Sequence, residues 1–137
     1  MGLFVDTSAL LRRYVNEPGR DLVVDTMDSD DSWIASALAR TEVMITLHHL
    51  AAGPHHQSRL WHDFRDDWDA FVVVPVDSRC LAKAVELGAQ YALRLVDAIH
   101  LAAADRLPRP LRYLTFDRRQ IPAAVGLGFD VVAPIDL

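Results

Sequence analysis

Four carboxylates stand where a folded chain would not place them for solubility. Asp6 ends a short apolar run in "LFVDTSALL", with hydroxyls Thr7 and Ser8 directly behind it. Asp117 lies just past a second such run, in "RYLTFDRRQ", with Thr115 two residues before it. Glu42, in "SALARTEVMITLHHL", has Leu38 and Ile45 as helical neighbours. Asp97, in "LRLVDAIHLAAAD", has Leu93, Leu101 and Ala104 at helical spacing. A solvated acid belongs opposite an apolar stripe, and these two lie on one. Acids are seldom fully buried unless they are paired or bind a metal.

Gathered at one place, these acids would repel each other. Two carboxylates ~4 Å apart cost roughly 4 kcal/mol at an effective dielectric near 20. A cation relieves that cost, and hard oxygen donors with no thiolate select Mg²⁺ or Mn²⁺ over Zn²⁺. Thr7, Ser8 and Thr115 could then orient water or backbone around the ion. Taken singly, each acid also has a plain structural role. Asp6 or Asp117 can cap a helix, and Glu42 or Asp97 can pair with an arginine at the edge of a core. Asp77, in "VPVDSRCL", follows a strand too, but it reads as the cap of a long helix.

The elements that would position the acids are legible. Five apolar runs read as strands: Leu3–Val5, Trp33–Ala35, Phe71–Val76, Arg112–Thr115 and Val131–Ala133. "FVVVP" is continuously apolar, as in a strand buried on both faces. Helical periodicity covers Asp6–Val15, Arg20–Met27, Ser36–Ala52, His55–Trp68, Asp77–Leu93, Asp97–Ala104 and Arg118–Leu127. The expected buried faces carry Leu38, Ile45 and Leu50 in the third helix, and Leu81, Val85 and Ala89 in the fifth. Trp61, Phe64 and Trp68 form an aromatic stripe for a core or a partner. Pro18-Gly19, Gly53-Pro54, Pro108–Pro110 and Gly126–Gly128 fall between these segments. Strands alternating with helices predict a three-layer α/β/α domain around a mostly parallel sheet of about five strands. Such folds place sites outside the carboxyl ends of their strands, where Asp6 and Asp117 lie.

Composition narrows the function. The chain has 137 residues, the size of one domain, and is 51% hydrophobic. Its formal net charge of −5 argues against a generic nucleic-acid coat. It leaves room for an enzyme that grips nucleic acid locally. Arginine supplies 13 of the 14 positive residues, and Arg12, Arg13, Arg118 and Arg119 flank the acids in sequence. Arg suits bidentate phosphate contacts, though a solvated helix face explains these four equally well. Cys80 is the only cysteine and reads as a core residue; a reducing, cytoplasmic setting fits. No apolar run spans a membrane, and no secretory signal opens the chain. His100, three residues after Asp97, reads as a core histidine or a supporting residue of the site. The histidines His48, His49, His55, His56 and His62 read as a surface cluster.

"LFVDTSALLRRYVNEPG", "ALARTEV", "LRLVDAIHLAAA" and "YLTFDRRQIPAAVGLGFDVV" occur in that order. Together they resemble the PIN-domain ribonucleases, most closely the VapC toxins of bacterial toxin–antitoxin modules. The resemblance runs from Leu3 to about Val132, which implies a single PIN domain over 1–137. It implies that Asp6, Glu42, Asp97 and Asp117 form an acidic quartet holding Mg²⁺ or Mn²⁺. It implies an endoribonuclease that cleaves RNA, such as tRNA or rRNA, through metal-activated water. It also implies a homodimer and a cognate VapB-type antitoxin, in a heterotetramer or larger assembly. Rival readings are a catalytically silent PIN-like RNA binder and a metal-dependent binding module of the adhesion type. The second is weakened because Leu10 stands where a D-x-S-x-S pattern needs serine. A dehalogenase-type phosphatase would need a second aspartate where Ser8 stands.

Overall fold

Leu3, Phe4 and Val5 alternate across the central strand of the sheet, and this alternation organises the whole core. A computed structural model describes residues 1–137. The strands are β1 (Gly2–Val5), β2 (Trp33–Ser36), β3 (Val72–Val74), β4 (Leu111–Leu114) and β5 (Asp130–Val132). All pairings are parallel, in the order β3-β2-β1-β4-β5. The helices are α1 (Thr7–Leu10), α2 (Arg20–Asp28), α3 (Ala37–Leu50), α4 (Pro54–Trp68), α5 (Ser78–Tyr91), α6 (Leu95–Asp105) and α7 (Ile121–Gly126). No helix is long and apolar enough to cross a membrane.

Two apolar layers result. Leu3, Val5, Ala35 and Leu114 pack with residues of α1 to α4. Phe4, Ile34 and Tyr113 pack with α5, α6 and α7. On that second side Tyr113 stacks between Phe4 and Phe129, with ring centroids 5.3 and 5.5 Å away. The predicted three-layer parallel architecture is therefore present. The chain builds β1, β2 and β3 to one side, then crosses to place β4 beside β1. The crevice between β1 and β4 lies where strand order reverses, the usual ligand position in such sheets.

Several details differ from the sequence reading. The run Phe71–Val76 yields only a three-residue strand, since Pro75 has no N–H to extend the ladder. β3 is an edge strand, not one buried on both faces: Val72 and Val73 are 54% and 40% exposed. The buried face of α3 is Ala39, Val43 and Leu47, while Ile45 and Leu50 lie exposed. Apolar residues lie all around this helix, so hydropathy singles out no face. In α5 the buried residues are Cys80, Ala84 and Leu87, and Leu81, Val85 and Ala89 are exposed. Small residues win there because α5 lies close on α6, where Gly88 faces Ala98. The first helix is one α turn followed by a 3₁₀ turn over Leu11–Arg13. The aromatic stripe of α4 belongs to the core: Trp68 stacks on Phe71, and Trp61 Nε1 donates to Met44 O at 2.9 Å. Asp77 caps α5 as expected, its Oδ1 accepting from Cys80 N at 3.0 Å.

Candidate active site

Asp6 leaves β1 and caps α1 in the same step. Its Oδ1 accepts from Ala9 N at 3.1 Å and from Ser8 Oγ at 2.6 Å. Its Oδ2 accepts from Thr115 Oγ1 at 2.8 Å. The side chain is 1% exposed. Burial raises the Asp6 carboxyl above the usual carboxylate range; His100 and the bonds from Ser8, Thr115 and Ala9 oppose it incompletely. An ionised Asp6 is thus held at a cost to the fold.

The β4 end is tied to the β1 end by hydroxyls. Thr115 Oγ1 donates to Asp6 and accepts from Asp117 N at 3.0 Å. Ser8 Oγ donates to Asp6 and accepts from Phe116 N at 2.9 Å. Asp117 Oδ1 in turn accepts from Arg119 N at 3.0 Å, which fixes the loop after the strand. Thr7 serves the other side: its hydroxyl donates to Glu42 Oε1 at 2.6 Å.

Glu42 sits on α3 with its side chain 25% exposed, facing His100 of α6 at 2.6 Å. His100 is buried, and its Nδ1 meets Ser36 Oγ at 2.9 Å. Both ring nitrogens are satisfied, Nε2 against the Glu42 carboxylate and Nδ1 against the Ser36 hydroxyl. Partial burial is the largest influence on Glu42 and raises its pKa. The bonds from His100 and Thr7 and the charge of His100 outweigh it, so Glu42 lies below the ordinary range.

Asp97 opens α6 and is nearly buried, its side chain 4% exposed. Gln120 Nε2 donates to its Oδ1 at 2.9 Å. Tyr113 Oη donates to Gln120 Oε1 at 2.6 Å, so the aromatic stack sets which end of the amide faces the carboxylate. Arg94 completes the surroundings: Nε donates to Asp97 Oδ2 at 2.9 Å, and Nη2 donates to Asp97 Oδ1 at 3.3 Å and Asp117 Oδ2 at 2.8 Å.

Asp6, Glu42, Asp97 and Asp117 line one open cleft of ≈ 460 Å³, with Thr7, Ser8, Arg94, His100 and Gln120. As the side chains stand, no three acid or histidine groups are close enough to share an ion. The positive charge that the sequence argument requires is present within the chain, as Arg94. The donor set is nonetheless that of a hard-cation site: four carboxylates, two of them buried, flanked by hydroxyls and facing one cleft. No buried side-chain nitrogen or oxygen lacks a partner.

The sequence profile of the PIN domain matches residues 3–125. The chain belongs to the PIN-domain family. This PIN domain is similar to ribonuclease VapC46 of Mycobacterium tuberculosis (strain ATCC 25618 / H37Rv), with 35% identity over 133 residues, 96% of this chain and 97% of that one. It shares its fold with a chain of a toxin–antitoxin complex from Klebsiella pneumoniae, at a TM-score of 0.70, 23% identity and 96% coverage of each chain. It shares it too with FitAcB from Neisseria gonorrhoeae, at a TM-score of 0.73, 20% identity and 96% and 95% coverage.

Within this PIN domain the arginines divide. Arg12 borders Ser8, with Nη1 on Ser8 O at 2.5 Å and its guanidinium 4.2 Å from the Phe116 ring centroid. Arg13 turns away from the cleft into an ion pair with Asp67 at 2.9 Å. Arg118 and Arg119 are exposed beside Asp117. Three residues of the site escaped the sequence reading. Arg94 had a signal, an i, i+3 spacing to Asp97. Gln120 and Ser36 had none, since each acts through pairing across the fold. The five other histidines do not line the cleft.

Proposed function

We propose that this chain is an endoribonuclease toxin of a toxin–antitoxin module, acting as a single PIN domain over residues 1–137. One observation carries the reading: four acids from β1, α3, α6 and the end of β4 face one cleft at the strand-order reversal. The family match and the likeness to a protein named ribonuclease VapC46 support the RNase assignment. The shared fold with chains of toxin–antitoxin complexes supports a cognate VapB-type antitoxin and assembly as a homodimer, a heterotetramer or larger. A cytoplasmic setting belongs to the same reading, as does an RNA substrate such as tRNA or rRNA.

In this reading Asp6 and Asp97 ligate Mg²⁺ or Mn²⁺ directly, and Glu42 and Asp117 hold its water. A bound divalent ion supplies Lewis-acid activation of water and charge neutralisation at the scissile phosphate. The chain supplies the rest. Thr115 and Ser8 fix the Asp6 carboxylate, and Gln120 fixes Asp97. His100 holds Glu42 ionised and oriented. Arg118 and Arg119, exposed beside Asp117, offer guanidinium groups to the RNA backbone; Arg12, bonded to Ser8 O and Pro18 O, and Arg13, paired with Asp67, would first have to release those partners.

The test is cleavage of purified total RNA with Mg²⁺ or Mn²⁺, then with chelator. Metal-dependent fragments that disappear in Asp97→Asn support the reading. Equal cleavage by Asp97→Asn overturns the ligand assignment. RNA binding without cleavage in either condition makes the chain a silent binding module.

A further inference from the structure

One nitrogen of Arg94 touches two acids that come from different elements, Asp97 in α6 and Asp117 after β4. Nη2 stands 3.3 Å from Asp97 Oδ1 and 2.8 Å from Asp117 Oδ2. Magnesium prefers oxygens at about 2.1 Å. An ion held by Asp97, with its water held by Asp117, would need the space that the guanidinium nitrogen fills. The two acids are held independently of the arginine. Gln120 holds Asp97, and Thr115 and the Arg119 backbone hold Asp117. Apart from its bonds to the two acids the arginine is little enclosed, its side chain 62% exposed against 4% for Asp97. Its backbone is extended just before α6, so the side chain can turn out to solvent without disturbing the helix.

We propose that Arg94 is the site's resident counter-cation, and that a divalent ion reaches Asp97 and Asp117 only by displacing it. The inference rests on the acidic quartet being a metal site. It gives the metal-free protein a reason to keep its acids together. It also sets cation affinity by competition rather than by ligand count alone. An arginine that merely braced the start of α6 would act in the opposite sense. Removing a brace loosens the ligands and weakens cation binding. Removing a competitor tightens it.

The experiment is Mn²⁺ binding to the purified full chain, by calorimetry and by loss of the free-ion electron paramagnetic resonance signal. The proteins are wild type, Arg94→Gln, Arg94→Lys and Arg40→Gln, with folding checked by circular dichroism. Arg94→Gln is expected to bind Mn²⁺ about two- to five-fold more tightly, the range for losing one exposed but well-placed competing cation. Arg94→Lys, which keeps the charge but not the planar fork, falls between it and wild type. Arg40→Gln, an exposed charge on α3 that does not line the cleft, leaves affinity unchanged. Binding by Arg94→Gln alone would support the proposal in its strongest form. Unchanged or weaker binding by Arg94→Gln, with wild type binding normally, overturns it and leaves the metal site standing. Equal tightening by Arg40→Gln overturns it as a general field effect. No binding by any protein overturns the metal site and the inference together.

Discussion

The Thr115 hydroxyl donates to Asp6 Oδ2 at 2.8 Å, joining residues 109 apart in sequence. Thr115 Oγ1 also accepts the Asp117 N–H, at 3.0 Å. Thr115→Val keeps the shape and removes both bonds, leaving a buried carboxylate oxygen short of a donor. A loss of about 1 to 3 kcal/mol is expected, with cleavage reduced as well. Thr115→Ser should restore most of both. Thermal unfolding and RNA cleavage by the two variants check this.

Asp6→Asn is expected to kill activity and stabilise the metal-free fold. Burial raises the Asp6 carboxyl, so the folded state favours the protonated form. At neutral pH the ionised group is therefore a cost that Asn removes, and Asn caps α1 as well as Asp does. A higher Tm for Asp6→Asn than for wild type, both without metal, is the expected result of thermal unfolding at neutral pH. The sign reverses nowhere, but the gap closes. As pH falls through the folded Asp6 value toward 3.8, wild type protonates and the two Tm curves converge. A constant gap down to that pH would contradict the assignment.

His100→Leu removes the donor to Glu42 and the partner of Ser36. Burial then acts on Glu42 with less opposition, so its carboxyl moves up. The acid limb of the cleavage pH profile should shift to higher pH, beyond any fall in overall rate. Stability should fall by about 2 to 4 kcal/mol through the orphaned hydroxyl and carboxylate.

Gly19 has φ +91°, and a Cβ there would run into the Phe116 ring. Phe116 lies between Thr115 and Asp117, so Gly19→Ala disturbs the loop that carries one of the acids. Gly53, at φ +98° and ψ 174°, has open space around it. Gly53→Ala should cost only backbone strain, about 1 to 3 kcal/mol, and leave cleavage unchanged. Gly19→Ala should lower cleavage as well as stability. Denaturant unfolding and RNA cleavage by the two variants check this.

Strand ends were readable because apolar runs of three to five residues stop at Asp6 and Thr115. Asp97 on its apolar stripe is readable for the same reason: Leu93, Leu101 and Ala104 at helical spacing are buried or partly so. Glu42 was picked out on a stripe that is only half real, since Leu38 packs inward and Ile45 does not. Its environment comes from His100 instead, fifty-eight residues away. The face of α5 is hidden from hydropathy because close packing on α6 favours Cys80 and Ala84 over the exposed Leu81 and Val85, and that of α3 because apolar residues lie all around the helix. That β3 is an edge could not be seen, because its position depends on where the chain crosses the sheet. Arg94 illustrates the general case: a sequence lists charges, and only geometry says which two acids one guanidinium bridges.

The order of the sheet also sets a timetable. β1 is made first, yet its neighbours in the cleft come from α6 and from the end of β4. A chain growing from its N-terminus has Asp6 and Glu42 in place early, but no gathered carboxylates until Asp117 has been added. The acidic cleft is thus assembled last, when nearly the whole polypeptide exists, and products that stop before Asp117 carry some of the acids without the cleft.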